Sequence, residues 1–363
     1  MRSRAGAAVH HVRVPFRAPL VTATGKWSMR ESWLLRVTDA EGHAGWGEAV
    51  LEDAADVPVL EELLGALVAS GLAPSPALVA RAGGGGRAFQ AALDAARLDI
   101  GARRIGTRRV SLPWVGVNAT IGAGETDAVV EQAQAAVEAG FRTLKLKTRR
   151  SDTTSTLLER LAAVRATVGD GPALRLDVNG AWKLETAVKR LRALAGMGLQ
   201  YVEQPLAPGD LARAADLRAR LGVPVAADEA ITSVAAARAI LDAGTADILV
   251  VKPARVGGPA AVAEIARLAA DRGVPVVVSS LFETGVGLAA ALTCAASLPD
   301  VPGWPARDRD HGLATADLLE DDLLAVPFVV RGGRLHAPGG RGSGGLGVVV
   351  DLAALERYRV SDA

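Results

Sequence analysis

Four short stretches decide the fold: ALRLDV (173–178), QYVEQ (200–204), PVAADE (224–229) and DILVVK (247–252). Each is a short, mostly apolar run, the pattern of a strand buried on both faces of a parallel sheet. Each carries charged residues at or near its end, and helical periodicity follows. The same unit extends outward to VGVNA (115–119), TLKLK (143–147) and PVVVSS (275–280). Helical stretches lie near 124–139, 152–168, 184–196, 209–221, 232–243, 257–271 and 285–297, with Gly or Pro at the joints. Seven βα units in a row suit a (β/α) barrel better than an open doubly wound sheet. An open sheet would also want a Gly-rich phosphate loop after its first strand, and Asn118-Ala119-Thr120-Ile121-Gly122 is not one.

The first hundred residues read as α+β. Strands are expected at 7–16, 32–38 and 44–50, and helices at 57–70 and 87–101 with a flexible Ala82–Gly86 linker between them. Residues 17–30 read as a long polar loop of the kind that covers a site. The tail offers one strand candidate (328–337) and a glycine-rich stretch (338–347). The expected organisation is therefore a capping domain over 1–112, a barrel over 113–316 and a returning segment over 317–363.

The composition excludes several classes. A net charge of +1 gives no footprint for nucleic acid or an anionic membrane. The single Cys294 rules out an internal disulfide framework. No apolar run suggests a membrane span and no signal peptide is read at the N-terminus, so a soluble cytoplasmic protein is expected. The basic residues are more informative. Of 41 Lys+Arg only six are lysine: Lys26, Lys145, Lys147, Lys183, Lys189 and Lys252. Arg is effectively always charged, whereas a buried Lys can act as a base, so each remaining lysine is a candidate for chemistry.

Three of those lysines fall at strand ends. Alternation in Lys145-Leu146-Lys147 puts both amines on one face of the strand. The next strands end at Asp177, Glu203 and Asp228, followed by Lys252, with spacings of 26, 25 and 24 residues. That regular interval places the charges on adjacent strands at one height, at the mouth where barrel active sites lie. Three carboxylates so close need a cation. An all-oxygen set without His or Cys suits Mg²⁺, and Mn²⁺ is also possible. The neighbouring Lys145 is expected to lower the pKa of Lys147 toward that of a useful base.

These residues resemble the muconate-lactonizing-enzyme subgroup of the enolase superfamily. The subgroup carries K-x-K on strand two, metal-binding D, E and D on strands three to five, and a lysine on strand six. The resemblance covers nearly the whole chain. It implies a (β/α)₇β TIM-like barrel with an α+β capping domain that the C-terminal tail completes. Within the subgroup, RLDVNGAW (175–182), YVEQPL (201–206), VVVSSLFETGVGLAAAL (276–292) and HGLATADLL (311–319) are most similar to the o-succinylbenzoate synthase family.

That likeness implies a small carboxylate substrate dehydrated through an enediolate. Lys147 would be the base, Lys252 an electrostatic partner from the opposite face, and Lys145 a tuning residue. Asn179 and Glu229 would orient the ligands and lysines. Ser279 and Ser280 would hold a substrate carboxylate, while Lys26 and Arg30 are either substrate partners or solvated loop charges. The same residues equally suit a racemase, dipeptide epimerase or cycloisomerase. Asp308-Arg309-Asp310 matches the D-x-D of dipeptide epimerases as text, but HGLAT (311–315) resembles strand eight itself, which puts the acids in the preceding loop. A homo-oligomer is left open.

Overall fold

The computed structural model describes residues 5–22, 25–106, 114–337 and 344–360. The chain opens with an antiparallel sheet of β1 (Gly6–Thr22), β2 (Gly25–Thr38) and β3 (Ala44–Ala49). Helices α1 (Val57–Ser70), α2 (Pro76–Arg81) and α3 (Gly83–Arg104) cover one face. Trp33, Leu35, Leu60, Leu64, Phe89 and Leu93 fill the space between sheet and helices.

Two expectations for this cap are corrected. The stretch 17–30 is not a long loop: after an irregularity between Pro15 and Leu20, β1 and β2 pair again, with Leu20 opposite Trp27 and Thr22 opposite Gly25. The glycines at 83–86 are not a flexible linker but the first turn of α3. Close approach explains Gly86, where a Cβ would lie 2.0 Å from the Val79 carbonyl oxygen.

After β4 (Trp114–Gly116), seven parallel strands curl in chain order. They are β5 (Ala119–Ile121), β6 (Thr143–Lys147), β7 (Ala173–Asp177), β8 (Leu199–Glu203), β9 (Val225–Ala227), β10 (Ile248–Val251) and β11 (Val276–Val278). Helices spanning Thr126–Glu138, Thr154–Val168, Leu184–Leu194, Leu211–Ala219, Val234–Asp242, Pro259–Ala270 and Gly285–Ala296 cover the outside. Leu144, Leu146, Leu174, Leu176 and Val202 face those helices. Tyr201, Ala226, Ile248, Val250 and Val277 pack together as an apolar layer.

The run read as the first strand is divided. β4 pairs with a tail hairpin, β12 (Val329–Arg331) and β13 (Arg334–His336), and only Ala119–Ile121 joins the barrel sheet. Strand eight shrinks to His311-Gly312, bridging Val117 on one side and Ser279 on the other. The His311 ring completes this closure, because its Nδ1 accepts from the Val278 N–H at 3.1 Å. A strand this short leaves no apolar run to read. The tail then returns to the cap, with Arg359 bridging Val12 and Asp99 accepting from Leu346 N–H at 2.8 Å. No described helix is long and apolar enough to cross a membrane.

Burial, aided by Arg175 and Arg309, pushes the His311 pKa down to about 3. The unfolded chain therefore binds a proton below its ordinary value near 6.5 while the fold does not. Stability should fall with pH from 6.5 toward 3, at a slope of up to about 1.4 kcal/mol per pH unit from this group. Urea midpoints between pH 7 and 4.5 should show a shallower pH dependence in His311→Gln than in the parent. Parallel curves would exclude this role.

Candidate active site

Strand register sets the site. Lys147 lies opposite Asp177, Asp177 opposite Glu203, and Glu203 opposite Ala226. Asp228 follows Ala226 by two residues and so shares its face. All three carboxylates are buried, at 0%, 1% and 1% exposure in chain order. The sequence-expected set of Lys145, Lys147, Asp177, Glu203, Asp228 and Lys252 thus meets at one end of the barrel.

Their contacts form a charge network. Lys145 Nζ lies between two strands, 2.8 Å from Asp177 Oδ2 and 2.6 Å from Glu203 Oε1. Lys147 Nζ donates to Asp177 Oδ2 at 2.7 Å and to Asn179 Oδ1 at 3.1 Å. Lys252 Nζ holds both Asp228 oxygens, at 2.9 and 2.6 Å. Asn179 donates its amide to Glu229 Oε1 at 2.9 Å, which links the base candidate to the strand-five end. Asn179 adopts a left-handed backbone, φ 49°, that lets its N–H donate to Asp177 Oδ1.

The electrostatics are uneven. Asp177 is held down to about 2: burial opposes this, but Lys145 and Lys147 outweigh it. Asp228 is lowered further, because Lys252, Arg255 and Lys145 overcome its burial. Glu203 goes the other way, pushed up to about 7 by burial and by Asp177 and Asp228 on either side. Burial works against the Lys145 charge, yet Asp177, Glu203 and Asp228 together hold its pKa well above the usual lysine range. Lys145 is therefore a fixed cation.

The donor set has the chemistry of a divalent-cation site. Glu203 Oε2 is buried without a hydrogen-bond partner, in the very group whose neighbours leave it short of positive charge. Its companions are carboxylate oxygens, the preferred ligands of Mg²⁺ and Mn²⁺. Asp177, Glu203 and Asp228 are the residues that would hold it. Among the described residues, the set whose potential ligand atoms all lie within 4.8 Å of one another is a different one, Asp39, Glu41 and His43; the barrel carboxylates stand wider apart, around the lysine ammonium groups. The Asp39 set lies at the β2–β3 turn, where Arg104 meets Asp39 at 2.8 Å.

Other expected site residues are used differently. The Ser279 hydroxyl donates to the Gly312 carbonyl at 3.3 Å, and Ser280 Oγ meets Thr315 Oγ1 at 3.0 Å. Both hydroxyls join the barrel closure. Arg30 is buried, donates to the Leu51 carbonyl at 3.1 Å and lies 5.4 Å from the Trp27 ring centroid. Lys26 belongs to β2, and its side chain lies outside the described residues. Asp310 accepts from Thr143 Oγ1 at 2.7 Å, at the start of β6, so it sits at the opposite end of the barrel from the mouth.

Sequence reasoning missed three residues. Arg255 donates to Asp228 Oδ1 at 2.6 Å and, through its other nitrogens, to Glu52 of the cap. Its position three residues after Lys252, with Pro253 opening a helical turn, was the available signal. Gln204, φ 39°, accepts from the N–H groups of Asp228 and Ala230 and so fixes the strand-five end. Arg175 lies fully buried beneath the carboxylates, 4.8 Å from the Tyr201 ring.

Residues 128–354 match the family model described as "Enolase C-terminal domain-like". An o-succinylbenzoate synthase of Geobacillus kaustophilus is 32% identical over 96% of this chain and 94% of its own length. One from Thermobifida fusca is 40% identical over 59% of this chain and 64% of that protein, just under two thirds of its length. A muconate lactonizing enzyme from Pseudomonas fluorescens, complexed with muconolactone, superposes with TM-score 0.84 at 24% identity. It covers 99% of this chain and all of that one, a likeness of fold. The fold and strand-end charges define an enolase-type barrel enzyme. The chain belongs to the enolase superfamily and is an enzyme.

Removing the unpartnered carboxylate tests the cation assignment. Glu203→Gln keeps the shape and removes the charge, so calorimetric Mg²⁺ affinity should fall at least about tenfold. Unchanged affinity would take Glu203 out of the ligand set.

Proposed function

We propose that this enzyme removes water from 2-succinyl-6-hydroxy-2,4-cyclohexadiene-1-carboxylate to form o-succinylbenzoate, a step of menaquinone synthesis in the cytoplasm. The observation that carries the reading is the inequivalence of the two sides of the mouth. The Lys147 side chain is 33% exposed and rests on one carboxylate and one amide. Lys252 is 12% exposed and is gripped by both oxygens of Asp228, which also receives Arg255. One accessible lysine and one restrained by both oxygens of a carboxylate suit a one-base elimination better than a two-base racemisation. The o-succinylbenzoate synthases among the relatives support the same reading.

The chemistry follows from the residues. Asp177, Glu203 and Asp228 would hold Mg²⁺, which when bound polarises the substrate carboxylate and makes the adjacent C–H acidic. Lys147, as the free amine, takes the proton from the carbon bearing that carboxylate. The resulting Lys147 ammonium then protonates the departing hydroxyl on the same ring face, and water leaves as the ring becomes aromatic. Lys145 keeps its charge throughout and steadies Asp177 and Glu203. Lys252 presents a cation to the opposite ring face. Asn179 and Glu229 orient the Lys147 amine.

Purified protein with Mg²⁺ should form o-succinylbenzoate and lose the activity on EDTA treatment. Lys147→Ala should lower kcat by about 10²–10⁴-fold, the usual contribution of a general base. Lys252→Arg should keep a measurable fraction, since charge is what the elimination needs there. Complete loss in both variants, together with rapid α-deuterium exchange in N-succinylamino acids by the parent, would instead identify a racemase.

A further inference from the structure

The cap reaches the carboxylate layer through one chain of contacts. Glu52, just after β3, grips Arg255 with two bonds: Nε to Oε2 at 2.7 Å and Nη2 to Oε1 at 2.6 Å. The remaining nitrogen of Arg255, Nη1, donates to Asp228 Oδ1 at 2.6 Å and to the Asp228 carbonyl at 3.1 Å. Asp228 in turn holds Lys252. The side chains of Arg255, Asp228 and Lys252 are 5%, 1% and 12% exposed, whereas that of Glu52 is 44% exposed. Glu52 is the cap's contribution to this chain and the link most open to solvent.

A guanidinium is a rigid planar fork, so fixing two of its nitrogens fixes the third. With Nε and Nη2 both bound to Glu52, Arg255 has only Nη1 to offer Asp228. Without Glu52, two strong donors lose their acceptor beside Asp228 and Glu229, both of which feel the Arg255 charge. The fork would then turn toward those carboxylates and compete for oxygens that the reaction centre uses.

We infer that Glu52 is a positioning residue: it holds Arg255 side-on, so that Asp228 stays oriented toward the reaction centre only while the cap is seated on the barrel. This rests on the reading of Asp228 and Lys252 as reaction-centre groups. It makes cation affinity and turnover depend on a cap side chain that touches neither.

The test compares the parent with Glu52→Gln, which keeps size and one acceptor, and with Arg255→Lys and the double variant. Mn²⁺ affinity by calorimetry, kcat, KM and the thermal midpoint are measured for each. Glu52→Gln should weaken Mn²⁺ binding and lower kcat by about tenfold each, with KM changed less than twofold. The double variant should be no worse than the poorer single, because both act through one contact. Unchanged Mn²⁺ affinity in Glu52→Gln overturns the proposal. So do additive losses in the double variant, or losses that merely track a lowered thermal midpoint. A parent that binds Mn²⁺ but does not turn over the cyclohexadiene overturns the function above, and the affinity comparison still decides the role of Glu52. A parent that binds no Mn²⁺ overturns both.

Discussion

Three ionisable oxygens-rich side chains on three consecutive parallel strands are the constraint around which this molecule is arranged. Adjacent strands lie about 4.8 Å apart, where two like charges repel by about 3 kcal/mol at an effective dielectric near 20. Asp177 meets two ammonium groups, and Asp228 meets an ammonium and a guanidinium. Glu203, the middle member, has a repelling neighbour on each side and only Lys145 in direct contact. Its displaced pKa and its unpartnered Oε2 are two consequences of that central place. The deficit of positive charge is therefore localised on one side chain.

Holding such a set open has a backbone cost. Asn179, Gln204 and Phe282, which follow β7, β8 and β11 at the mouth, all have positive φ. Such conformations cost of order 1 kcal/mol each in a non-glycine residue and persist only where the surroundings over-determine them. Asn179 is fixed by bonds to Asp177, Lys147 and Glu229, and Gln204 by Asp228, Ala230 and Leu206. Phe282 is boxed edge-on by Phe16 and Trp27 of the cap hairpin, with centroids 6.1 and 6.3 Å away. The hairpin that reads as a loop in sequence thus supports a strained mouth residue.

The six strand-end charges were legible because strand alternation and a near-constant βα interval are local properties. Repetition fixed their height and direction without any knowledge of the partners. What escaped was set by long-range contact. Arg255 and Glu52 are 203 residues apart, and no periodicity links them. Strand eight escaped because two residues, His311 and Gly312, complete the barrel with backbone bridges rather than an apolar run. Ser279 and Ser280 were correctly placed after β11, yet their hydroxyls are spent on Gly312 and Thr315. Position can be read from spacing, but whether a polar group is free depends on neighbours that spacing does not reveal.

The scarcity of lysine now has two explanations rather than one. Under the proposed function Lys147 transfers a proton, a role arginine would fill poorly. Lys145 does not, since its carboxylate neighbours keep it charged. Its ammonium instead fits the gap between β6, β7 and β8, giving bonds of 2.8 and 2.6 Å to oxygens on two strands. A compact group with three donors can bridge that gap, whereas a planar fork matches one carboxylate edge-on. Arg255 makes the contrast within the same site: there a fork is wanted, and arginine stands with its two-pronged face on Glu52. For Lys145 and Arg255 the choice of residue follows shape, and charge alone does not distinguish the two.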